Sequence, residues 1–164
     1  MLDSDNDGND NTIEKRLAAL GVTLPEAPKA MGNFEPYLIE GNQLFISGQI
    51  AIDLSGNTMQ GKLGDSVDIA QGQVAAKYCA IGILARAKAA LKNINRIEKL
   101  IKLGAFVNAT PDFTQHPAVV NGASDFMVQA LGEQRGRHVR FAVGSASLPG
   151  NASVEIEAVF RIAQ

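Results

Sequence analysis

The stretch VRFAVGSASLPGNASVEIEAVFRI, residues 139–162, splits into two apolar runs around Leu148, Pro149 and Gly150. Both runs read as β-strands, because β-branched and aromatic residues alternate with other types. In the second run Val154, Ile156, Ala158, Phe160 and Ile162 share one face, and Glu155, Glu157, Val159 and Arg161 share the other. In the first, Val139, Phe141 and Val143 stand opposite Arg140 and Ala142. The short Leu-Pro-Gly turn predicts that the two runs pair antiparallel, with Arg140 and Glu155 pointing to the same side. A charge isolated among buried apolar residues is costly, so each needs a partner, a wet cavity or a ligand. Two readings follow for Arg140 and Glu155. They are a structural ion pair or solvated strand charges, or they are a guanidinium fork for a carboxylate ligand beside a carboxylate that orients water or moves a proton.

Outward from this stretch, the polar loop GEQRGR precedes the first strand, and before it a helix is predicted from His116-Pro117 through about Ala130, with Gly132 after its end. IEKLIKLGAFVNA, residues 97–109, reads as a strand ending at Val107. The longest periodic segment is an Ala-rich helix from about Val67 to Leu91, capped by Ser66 or Asp65, which can lie flat on a sheet. YLIEGNQLFISGQIAI, residues 37–52, reads as a hairpin turning over Glu40 to Gln43, and Gly48 inside its second strand predicts a bulge or a close approach by another group. A short amphipathic helix over TIEKRLAALG begins the patterned part of the chain, capped by Asn11 or Thr12. The order predicts an α+β fold with two main helices packed on one face of a mixed β-sheet. The other face holds apolar residues that need a cover, so oligomerisation is expected.

With 164 residues, 46% of them apolar, the chain suits one domain over residues 12–164 behind an acidic tail of residues 1–11. Setting aside Asp3, Asp5, Asp7 and Asp10 leaves 15 basic against 13 acidic groups, close to neutral. With aromatics at 5% and no run of Lys and Arg, the signature of nucleic-acid binding is absent. No apolar run approaches bilayer length and the acidic start is unlike a signal peptide, so no membrane partner and a cytoplasmic location are expected. Cys79 is the only cysteine and reads as a small core residue. Residues 3–14, DSDNDGNDNTIE, match the calcium-loop pattern from Asp3 to Glu14. Only Met1 and Leu2 precede them and Asp10 stands where such loops carry an apolar residue, which favours a solvated tail over a calcium site.

Four motifs in order then become informative together: SGQIAID at 47–53, VNGASDF at 120–126, RFAVGSASLP from Arg140, and VEIEAVF at 154–160. Over roughly residues 12–163 the chain resembles the RidA family, also called YjgF, which includes enamine/imine deaminases, and most of all its longer branch labelled endoribonuclease or chorismate-mutase-like. The resemblance implies a chorismate-mutase-like fold and a homotrimer with a ligand cleft at each subunit interface. It implies that Arg140 holds a substrate carboxylate and that Glu155 assists the attacking water. Ser47, Gly48 and Asn121 match further binding positions. Two positions depart from the family pattern: Phe34 replaces an aromatic alcohol, unless Tyr37 supplies the hydroxyl, and Ala142 replaces a cysteine, keeping only its main-chain groups.

The implied reaction is hydrolysis of small 2-imino or enamino acids to 2-oxo acids and ammonia, with no metal or organic cofactor. The alternatives are a trimeric small-carboxylate-binding protein without turnover, holding a 2-oxo acid, and an endoribonuclease. The weak basic charge and the lack of paired histidines disfavour the last. His116, at a helix start, and His138, at the head of a strand, read as structural rather than as catalytic bases. Gly61 to Gly64 lack the pattern of a phosphate loop.

Overall fold

The computed structural model describes residues 12–30 and 32–164, so the acidic tail of residues 1–11, and with it the calcium-like pattern from Asp3 through Asp10, lies outside the described residues. The elements are α1 (Ile13–Ala19), β1 (Tyr37–Glu40), β2 (Gln43–Ile50), α2 (Ile69–Leu91), β3 (Ile97–Asn108), α3 (His116–Leu131), α4 (Glu133–Gly136), β4 (Val139–Ser145) and β5 (Val154–Ile162). They build the α+β architecture expected: a five-stranded mixed sheet in the order β1-β2-β5-β3-β4, with α2 and α3 packed together and α2 lying on the central strands.

Local chemistry sets each helix start. Thr12 accepts from the Lys15 N–H to cap α1, which confirms one of the two proposed caps. The α2 cap is Asp68, later than Asp65 or Ser66: its carboxylate accepts from Gln71 N–H at 2.8 Å while the Gln71 amide oxygen accepts from Asp68 N–H at 2.9 Å. This reciprocal box satisfies two of the donors that every helix start leaves open, and so it outcompetes the earlier polar residues. Within the polar loop GEQRGR, α4 forms a single turn held by Gly136 N–H to the Gly132 carbonyl.

The apolar pattern of β5 holds as read. Val154, Ile156, Ala158, Phe160 and Ile162 are all buried against the helices, together with Leu100, Leu103, Ala105 and Val107 of β3 and a row of alanines from α2. Burying side chains of this size is worth roughly 1.5–3 kcal/mol each for the large ones. Cys79 lies in this core.

The expected pairing of the last two strands does not occur. β4 runs parallel to β3, and β5 runs antiparallel to β3 on its other side, so β3 separates the two. The connection that makes β4 parallel is α3, a right-length crossover helix between parallel strands. The register Arg140–Leu103–Ala158 places Arg140 toward the helices, whereas Val143–Phe106–Glu155 places Glu155 on the open face. Arg140 and Glu155 therefore lie on opposite faces of the sheet, which corrects the same-side expectation. The open face carries Phe45, Phe106, Val139 and Val143, between 37% and 67% exposed, so it lacks the cover that its composition calls for. Among the described residues no helix is long and apolar enough to cross a membrane.

Candidate functional site

The anticipated residues form two groups. One sits where edge strand β4 meets α3. The Arg140 guanidinium donates from Nη1 to Ser124 Oγ at 2.9 Å, and from Nη2 to Asn121 Oδ1 at 2.9 Å and the Pro117 carbonyl at 3.1 Å. Asn121 and Ser124 are one turn apart on α3, so both reach the same strand residue. An arginine has five N–H donors, and three acceptors leave capacity for a ligand. Ala142 lies two residues further on the same face of β4, half-buried against the core. A cavity of about 230 Å3 opens among Asn121, Ser124, Asp125, His138 and Arg140.

The same cluster fixes a histidine. His138 Nδ1 lies 2.6 Å from the Gly136 carbonyl, and His138 Nε2 lies 3.0 Å from Ser124 Oγ. A carbonyl only accepts, so Nδ1 carries the proton and the bare Nε2 accepts from the serine hydroxyl in the neutral ring. Burial holds His138 below the ordinary imidazole value; the Gly136 carbonyl works against this, and the charges of Arg140, Lys99 and Arg137 add to it.

The second group sits on the open face at the β2 bulge. The β2–β5 register shifts between Ile46 and Gln49, so Gly48 occupies the irregularity, as its place in a strand suggested. The Glu155 carboxylate lies in the space that a β-carbon at position 48 would fill. Burial raises the Glu155 carboxyl above its ordinary value, which suits a group that takes and returns a proton near neutral pH. Ser47 Oγ donates to the Glu35 carbonyl at 2.7 Å, and Ser47 N–H to the Pro36 carbonyl at 3.1 Å. Phe34, one residue before Glu35, is exposed. Tyr37 pairs with buried Ile46 and so faces the helices; within one chain it brings no hydroxyl to Glu155.

Beneath the bulge, Gln49 Nε2 donates to the carbonyls of Ser47 at 2.9 Å and Gly48 at 3.2 Å. Its amide oxygen accepts from Arg86 Nε at 3.3 Å, and Arg86 also donates to the Pro28 carbonyl. Arg86 is buried, and that burial lowers its pKa. The structure thus brings Arg140 together with Asn121, and Glu155 together with Gly48, but not Arg140 with Glu155. Ser124, Gln49 and Arg86 escaped the sequence reading, and His138 was read there only as structural. The three-residue step from Asn121 to Ser124 and the two-residue step from His138 to Arg140 are the periodic signals that could have found two of them.

Residues 14–161 match the family model described as "YjgF/chorismate mutase-like, putative endoribonuclease". The chain belongs to the RidA/YjgF family. Its fold is that of Atu1372 from Agrobacterium tumefaciens, a protein described as having unknown function: 47% identity, 92% of each chain covered, TM-score 0.85. It is likewise similar to a "putative endoribonuclease" from Shewanella oneidensis, with 34% identity, 93% of this chain and 100% of the other covered, and a TM-score of 0.88. A relative from Dermatophagoides farinae, described as a 2-iminobutanoate/2-iminopropanoate deaminase, is 27% identical over 84% of this chain and 92% of its own.

Proposed function

We propose that this RidA/YjgF chain hydrolyses small 2-imino acids to 2-oxo acids and ammonia, in clefts formed between the subunits of a homotrimer. The observation that carries the reading is the carboxyl of Glu155, half-buried and raised in pKa, resting on the bare backbone of Gly48 in an apolar sheet face. A carboxylate in that setting can take a proton from water and return it. Arg140, with donors to spare, supplies the grip for a substrate carboxylate. The description of the mite relative as an iminobutanoate deaminase supports the same chemistry.

Because the two groups face opposite sides of one sheet, a single chain does not offer both to one small molecule. The reading therefore takes Arg140, Asn121 and Ala142 from one subunit, and Phe34, Ser47, Gly48 and Glu155 from the next. The exposed apolar residues of the open face give a second copy a surface to cover. In the cleft, Arg140 and Asn121 hold the substrate carboxylate, and Ser47 and the backbone at Gly48 steady the imine end. Glu155 accepts a proton from water as the water oxygen bonds to the imine carbon. The substrate reacts as its iminium ion, whose nitrogen already carries the second proton, so the addition gives a neutral carbinolamine. Glu155 then returns its proton to that nitrogen and takes up the carbinolamine hydroxyl proton as the C–N bond breaks, releasing the 2-oxo acid and ammonia, which leaves with that last proton as ammonium.

The test generates 2-iminobutanoate in situ with a coupled enzyme and follows its loss. Acceleration by the wild-type chain, abolished in both Arg140→Ala and Glu155→Gln, is the expected outcome. No acceleration, with thermal stabilisation by 2-oxobutanoate alone, would make the protein a carboxylate binder instead.

A further inference from the structure

The proposed site uses Arg140 as an anchor but gives no role to the residues behind it. Arg140 Nη1 donates to Ser124 Oγ; Ser124 Oγ stands against His138 Nε2; His138 Nδ1 stands against the Gly136 carbonyl. Only one assignment of protons satisfies all three contacts with a neutral ring. The Gly136 carbonyl accepts from Nδ1–H, bare Nε2 accepts from the serine O–H, and the serine lone pair accepts from arginine. The chain of bonds thus has a direction, and it starts at a fixed main-chain carbonyl in the last turn before β4.

We infer that His138, acting through Ser124, is a positioning residue that sets the orientation of the Arg140 guanidinium toward an anionic ligand. The inference rests on the reading of Arg140 as the carboxylate anchor. An arginine carries several rotatable bonds, and a flexible fork loses binding energy each time it is ordered by a ligand. Here the ordering is done in advance. Asn121 and Pro117 fix one nitrogen from α3, and the His138–Ser124 pair fixes the other. Neutral His138 is what the relay needs, because a protonated ring would present a donor at Nε2 and no longer accept from the serine. Its half-buried setting among Arg140, Lys99 and Arg137 disfavours that second proton.

Titration calorimetry with 2-oxobutanoate at neutral pH tests this on the full chain, together with 15N NMR of the histidine ring. Ser124→Ala and His138→Ala are each expected to weaken binding about tenfold, and the double variant to bind no worse than the weaker single one, since both cut the same relay. His138→Gln, whose amide can donate to Gly136 and accept from Ser124, should recover most of the affinity. The wild-type ring should show the Nδ1-protonated tautomer. If Arg140→Ala removes binding while His138→Ala binds like wild type, or if the two losses multiply, the relay is refuted and the anchor stands. Wild-type binding by Arg140→Ala would remove the anchor itself.

Discussion

Glu155 and Gly48 constrain each other at the scale of single residues. A β-carbon at position 48 would overlap Glu155 Oε1, and the cheapest relief is movement of the flexible carboxylate rather than of the strand. Gly48→Ala should therefore fold normally by circular dichroism yet lose about a hundredfold in imine hydrolysis, the order expected from misplacing a reacting group by an ångström. Glu155 also makes a pH prediction. Its folded pKa lies above the ordinary 4.5 because burial disfavours the charge. The native state then holds the proton more tightly than the unfolded chain, so its contribution to stability is present below that ordinary value and lost as pH rises through the folded one. Glu155→Gln should match wild type in acid and melt at a higher temperature near neutrality, while losing activity. Thermal scans across pH read both limbs. Much at this scale was legible in the sequence: alternation separated Glu155 from the core residues, and a glycine inside a strand flagged the close approach. Gln49 and Arg86 were not legible, because their link depends on α2 lying beneath the β2 bulge.

The elements explain why one pairing was misread. A Pro-Gly turn between two apolar runs carries a hairpin signal, yet a short 3-10 turn over Pro149–Asn151 instead sends the chain across the sheet, and β3 takes the place between β4 and β5. Local turn chemistry reports where a chain bends; it does not report which strand fills the gap. With twelve residues, β3 is long enough to pair on both sides. Helix packing gives the prediction at this scale. A β-carbon on Gly122 of α3 would run into the main-chain carbonyl of Gln73 on α2, and neither helix backbone can yield as a side chain would. Gly122→Ala should cost about 3 kcal/mol, the upper end for overpacking, read as a lower urea midpoint with an unchanged slope. The helices themselves were legible from caps and periodicity, with α2 displaced at its start because a reciprocal Asp68–Gln71 box is stronger than a lone serine.

For the whole molecule, the sheet has one face covered by helices and one left with Phe45, Phe106 and Val143 in the open. The sequence announced an uncovered face, since its strands are apolar on both sides. It could not announce that Arg140 and Glu155 would be divided between the faces, because that follows from β3 entering between their strands. Val143→Asp places a charge on the apolar face, two strands away from Glu155 in the sheet. Wild type should sediment as the proposed trimer and the variant as monomers, with imine hydrolysis abolished. The central claim, a site shared between chains, has a more direct test. Arg140→Ala and Glu155→Gln chains, each inactive alone, are unfolded together in equal amounts, refolded and assayed for 2-iminobutanoate hydrolysis. Random pairing in a cyclic trimer gives about a quarter of the clefts an intact arginine from one chain and an intact glutamate from its neighbour, so about a quarter of wild-type activity should return. No recovery from a mixture shown to contain mixed trimers would contradict the account.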